Sequence, residues 1–196
     1  MKQIKPIIAL ALLAILGVGA AAVWRSAPVA RAPEASDIGG PFRLTDDAGA
    51  QVDERILKGK WSAVYFGYTF CPDVCPATLA ALAQAIGDLG AKAKTLQVVF
   101  ITVDPRRDTP AQLRAYLSSS SFPKGVIGLT GTADEIKAVA ADYRVYYSRH
   151  GGGADYSVDH TSVVYLMDPQ GRFVRPIATD APAAMANQIA AAMVGR

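Results

Sequence analysis

The chain predicts an α/β sheet covered on both faces by helices. Two apolar runs, WSAVYFGYT at 61–69 and LQVVFITVD at 96–104, are rich in β-branched and aromatic residues with little alternation, as strands buried on both faces require. Each is followed by a segment with helical features, and strands alternating with helices describe this fold class. A strand pair and a last helix close the chain.

The elements follow in order. PFRL and QVD flank Asp47-Ala48-Gly49 and predict a short hairpin before the first buried strand. After it, ATLAALAQAIGDLG places Leu79, Leu82 and Ile86 at helical spacing and stops at Gly90, so CPDVC is expected as a loop leading into a helix over 76–88. TPAQLRAYL starts with Thr109 as N-cap and Pro110 at the first helical position. VIGLT is a short strand, Thr132 to Ala141 is a helix opened by a Thr132/Glu135 capping box, and VYYSR is another strand before the glycine loop HGGGADYS. SVVYLMD and GRFVRPI around Pro169-Gln170-Gly171 form a hairpin, and DAPAAMANQIAAAMV is the closing helix.

At 196 residues the chain is long enough for one domain and an appendage. The appendage is the run Pro6 to Trp24, which has no charged residue and follows Lys2 and Lys5. Nineteen residues make a helix of about 28 Å, enough to span a bilayer. The lysines favour a cytoplasmic N-terminus. Ala20-Ala21-Ala22 also satisfies a signal-peptide cleavage pattern, but the run exceeds the roughly 7–15 apolar residues of such a peptide, so an uncleaved anchor is expected. The reading is therefore an anchor at 1–25, a Pro/Ala-rich tether at 26–37 and a folded domain at 38–196, exported by the anchor.

The formal charge of +3 equals the contribution of Lys2, Lys5 and Arg25, so residues 26–196 carry 17 basic and 17 acidic side chains. A neutral domain without a basic face argues against nucleic acid.

Both cysteines of the chain, Cys71 and Cys75, lie in FGYTFCPDVCPATL, each before a proline. A thiol at a helix start feels the dipole and the unpaired amides there, which favours thiolate, both the nucleophile and the metal ligand. Outside the cytoplasm such a pair is oxidised unless it is reduced or ligated, so a small structural disulfide is the plain alternative.

Three stretches, YFGYTFCPDVCP at 65–76, ITVDPRRDTP at 101–110 and DYSVDHTSVVYLMDPQGRF at 155–173, resemble the Sco/SenC copper chaperones of cytochrome c oxidase assembly. The resemblance extends over nearly all of 38–196. It implies a thioredoxin-like fold with a central mixed sheet, copper held by Cys71, Cys75 and His160, and a periplasmic domain anchored to the inner membrane. It further implies a recipient, the copper A subunit of cytochrome c oxidase, with other copper chaperones or thiol reductants as further partners. The donor chemistry agrees: two soft thiolates select Cu(I), and an imidazole also accommodates Cu(II). A structural zinc site would want a fourth ligand, and there is no further cysteine to supply it.

The alternative from another class is thiol–disulfide exchange, with Cys71 and Cys75 as the redox-active pair. The three-residue spacing and the absence of proline in VDHTS count against it as the main role, and a thiol peroxidase fits TFCPDVC least. Asp73, Asp104 and Asp159 are either groups that orient ligands or solvated carboxylates, with Asp73 read as solvated. Arg106 and Arg107 are read as solvated loop charges or a docking surface, His150 as a bystander, and Met185 and Met193 as core.

Overall fold

The computed structural model describes residues 38–194 apart from 154 and 180. The run at 6–24 and the tether at 26–37 lie outside the described residues, and among those described no helix is long and apolar enough to cross a membrane.

The first hairpin joins β1, Arg43–Asp46, to β2, Gln51–Asp53. Gly49 sits in its turn at φ +90°, where a side chain would be strained. β3, Trp61–Gly67, is buried at every position, and β4, Leu96–Thr102, pairs with it in parallel from Trp61↔Leu96 to Gly67↔Thr102. Between them α1 runs Val74–Asp88 and a 3-10 segment follows at Gly90–Thr95.

α2, Pro110–Leu117, is capped by Thr109, whose hydroxyl accepts the Gln112 amide hydrogen, with Pro110 at the helix start. β5, Ile127–Thr130, is parallel to β4. α3, Ala133–Asp142, opens with both halves of the Thr132/Glu135 capping box in place. β8, Val164–Met167, and β9, Phe173–Ile177, form the expected hairpin, and α4, Pro182–Val194, closes the chain.

The sheet order is β2-β1-β5-β4-β3-β8-β9, mixed in direction, with the β3–β4 pair inside it. Its faces follow from strand alternation. Tyr65 and Gly67 point to the side of α1, whereas Phe66 points to the other, where its ring lies 5.2 Å from that of Tyr143 at the end of α3. β3 therefore contributes a side chain to both cores, and its unbroken apolar run reflects that position. Met185 is fully buried and Met193 packs against the core, as their spacing predicts. Neither edge is a long clean strand: β2 has three residues, and β9 contains Pro176, which has no N–H to offer.

The structure departs from the sequence reading in two places that matter for the site. The helix expected over 76–88 starts at Val74, so Cys75 lies in its first turn. The proline rule argues against helical angles before Pro76, but the first four amides of a helix lack intrahelical acceptors, so a proline in the first turn costs no hydrogen bond. Second, the strand read as VYYSR is β6, Tyr147–His150, and it does not join the main sheet. It forms an antiparallel ribbon with β7, Ser157–His160, a strand not anticipated from the sequence.

Candidate metal centre

The site lies where β3 ends. Its segment to α1 carries Cys71, which is partly exposed, and the first turn of α1 carries Cys75, which is fully buried. The Cys75 amide donates to Cys71 Sγ at 3.4 Å, so one of the helix's spare donors is aimed at the first sulfur. Both cysteines are free thiols in the structure.

His160 reaches the same point from the last position of β7. Its Nε2 lies 3.3 Å from Cys75 Sγ, and its Nδ1 lies 3.1 Å from the Thr161 carbonyl oxygen. Donation from Nδ1 to that carbonyl places the proton there and leaves the Nε2 lone pair facing the sulfurs. This is the tautomer a metal ligand needs, fixed by the hydrogen bond of the other ring nitrogen. Two aromatic edges hold the imidazole: the Tyr65 and Tyr68 rings lie 6.2 and 6.0 Å away, both in T-shaped contact. The Tyr68 hydroxyl also accepts the Val158 amide hydrogen at 3.3 Å, tying β7 to the cysteine segment.

The donor atoms of Cys71, Cys75 and His160 all lie within 4.8 Å of one another. Two sulfurs and one imidazole nitrogen at that separation could hold a soft ion with little rearrangement, and such a set suits copper.

The two thiols are electrostatically unequal. The hydrogen bond from the Cys75 thiol, joined by the Cys75 and Asp73 backbone amides, lowers the Cys71 pKa to about 5. That same bond to Cys71, together with burial, raises the Cys75 pKa far above the usual thiol range. At neutral pH one sulfur is therefore a thiolate and the other keeps its proton.

Gly67 makes room for this arrangement. A Cβ at that position would stand 2.9 Å from Cys75 Sγ and 2.9 Å from the Phe100 ring. The missing side chain is a packing requirement of the sulfur.

The loops beneath the site are joined by Asp108, a residue the sequence reading did not single out. Its buried carboxylate accepts the Thr69 amide hydrogen at 3.0 Å, the Thr69 hydroxyl at 2.7 Å and the Thr102 hydroxyl at 2.6 Å. It thus ties the cysteine segment to the end of β4. Asp108→Ala leaves buried donors without an acceptor and is expected to cost about 1–3 kcal/mol. Urea unfolding should show a lower midpoint at unchanged slope, and an unchanged midpoint would contradict this role.

The remaining candidates disperse. Asp73 is exposed and caps α1 without a side-chain hydrogen bond. Asp159, next to His160 on β7, alternates away from the site and pairs with His150 Nε2 at 3.1 Å between exposed side chains, an interaction of little weight. Asp104 is buried, and Arg107 is mostly buried against it, so Arg107 is neither a solvated charge nor a docking residue. Arg106 remains exposed.

A mixed sheet with paired thiols at a helix start, faced by an imidazole, defines a thioredoxin-like protein built around a thiol–imidazole centre. The SCO1/SenC family model matches residues 30–194, and the chain belongs to that family. It is 48% identical over 141 residues to mitochondrial protein SCO1 of Saccharomyces cerevisiae, covering 70% of this chain and 47% of that protein. The chain spans about half the length of the mitochondrial relatives it matches. It is 38% identical over 184 residues to an SCO2-like protein of Rickettsia felis, covering 88% of each. The structure of Arabidopsis thaliana ScoI with copper bound matches with a TM-score of 0.76 and 41% identity, over 81% of this chain and 99% of that one.

Proposed function

We propose that this chain is a copper metallochaperone that takes one copper ion on Cys71, Cys75 and His160 and passes it to the copper A centre of cytochrome c oxidase. The observation that carries the reading is the convergence, within 4.8 Å, of two sulfurs and an imidazole nitrogen from segments 85 residues apart. Copper bound in the Arabidopsis thaliana relative supports the choice of metal. The recipient follows from the resemblance of the chain to its family, and the apolar run at 6–24 supports an inner-membrane anchor with the domain on the periplasmic side.

Copper here is cargo. Three protein donors leave Cu(I) open to a fourth, so a recipient's ligand attacks before the donor lets go. Cys71 and His160 are the partly exposed donors through which that exchange can begin, whereas Cys75 is buried.

The thiol inequality supports a second reading, disulfide exchange, in which the Cys71 thiolate attacks a partner disulfide and Cys75 resolves the mixed disulfide as a thiolate, its proton passing to the leaving partner thiolate. An anaerobic copper titration of the reduced full chain in detergent separates the two. One tight copper per chain, weakened in His160→Ala, is the expected result. Copper binding indifferent to His160, with disulfide exchange intact, would leave the exchange reading in its place.

A further inference from the structure

His160 is carried by a two-stranded ribbon outside the main sheet, whereas both cysteines are set by the end of β3 and the start of α1. Two-stranded ribbons are marginal on their own. A ligand placed there needs something that fixes the ribbon against the cysteine segment.

A group of side chains between the two does this. The Arg107 guanidinium lies 3.7 Å from the centre of the Tyr156 ring and 4.6 Å from that of Phe70, with Tyr68 at 5.8 Å. Phe70 immediately precedes Cys71, and Tyr156 immediately precedes β7. Below the stack, Arg107 Nε donates to Asp104 Oδ2 at 2.5 Å, and the Tyr156 hydroxyl donates to Asp104 Oδ1 at 2.6 Å. Arg107 is thus held edge-on by a buried carboxylate and face-on by aromatic rings from both ligand-bearing segments. A planar, permanently charged group suits both contacts, and a lysine would reproduce only the charge.

We propose that Arg107, with Asp104 and Tyr156, is the positioning device that holds His160 in register with Cys71 and Cys75 for copper. The inference rests on the three-donor reading above. Its consequence is asymmetric: loosening the ribbon frees the imidazole, while Cys75 keeps its place in the first turn of α1 and Cys71 keeps the hydrogen bond from the Cys75 amide. Cu(II), which draws more on the imidazole than Cu(I) does, should register the loss most.

The test is a mutant cycle on the reduced full chain in detergent, loaded with Cu(I) or Cu(II) alone. In Arg107→Ala, Cu(II) affinity should fall about tenfold, within the usual range for groups that orient a ligand. Its thiolate-to-copper absorption should move toward that of His160→Ala, with a smaller change in Cu(I) affinity. Adding Arg107→Ala to His160→Ala should weaken copper no further, because the effect passes through the imidazole. Arg107→Lys should restore only part of the loss. Tyr156→Phe, which keeps the ring and removes the hydroxyl bond to Asp104, should shift the spectrum the same way by less, and it carries the test if Arg107→Ala does not fold.

Equal losses from Arg107→Ala with and without His160, or a spectrum unmoved in both Arg107→Lys and Tyr156→Phe, would overturn the positioning role. If His160→Ala itself leaves copper binding unchanged, the three-donor reading fails first and the positioning role falls with it.

Discussion

Cys75→Ser is expected to lower Cu(I) affinity by roughly a thousandfold, ~4 kcal/mol, leaving one sulfur and one imidazole. The wild-type pH dependence should carry the same signature. Cys71 is already a thiolate above about pH 5, so the proton that Cu(I) must displace at neutral pH belongs to Cys75. Metal binds the deprotonated form, and each unit of pH raises the thiolate fraction of Cys75 about tenfold while its pKa lies above the working range. Apparent Cu(I) affinity should therefore climb with pH between about 6 and 8, with about one proton released per copper. Below about 5 Cys71 protonates as well and the slope steepens. Competition against a Cu(I) chelator across this range, with proton release followed in weak buffer, checks it. A flat profile would mean that Cys75 is not the protonated partner.

Gly67→Ala should damage stability and the site together. A methyl group 2.9 Å from both Cys75 Sγ and the Phe100 ring has no space to enter, since β3 and Phe100 are fully buried. Relief requires the sulfur, the ring or the strand to move, and overpacking of this kind costs about 1–3 kcal/mol. In a domain of this size each kcal/mol is about 2–4 °C in Tm. The apo chain should melt several degrees lower, and because the Cys75 sulfur lies in the direct path, Cu(I) affinity should drop as well. A variant that melts lower yet binds copper normally would show that the ring, not the sulfur, gives way.

The sequence made the main sheet readable because β3 and β4 are buried on both faces and have no reason to alternate, whereas Thr109, Pro110 and the Thr132/Glu135 pair mark helix starts through their own backbone hydrogen bonds. The paired thiols were visible from spacing and helix context, and His160 from its family resemblance. Less visible was the strand that carries the histidine. Tyr156 and Val158 are buried and alternate with exposed Ser157 and Asp159, a short period-two pattern, but the triple glycine ahead of them reads as an open loop and no other strand signal reinforces it. Arg107 and Asp108 were hidden for a different reason. DPRRDTP has the composition of a solvated turn, and only tertiary contacts from Tyr156, Thr69 and Thr102 take those two charges out of water.

The outer strands of the main sheet bear on how another protein can meet this one. Recognition by strand addition needs an edge with a continuous row of unpaired backbone groups. Here one border stops after three residues at Asp53, where a 3-10 turn begins, and the other is interrupted by a proline that has no hydrogen to give. Such borders also resist the edge-to-edge aggregation that long flat strands invite. Chains at high local concentration would thus have little tendency to join sheet to sheet, and a visiting protein would find its footing on side chains.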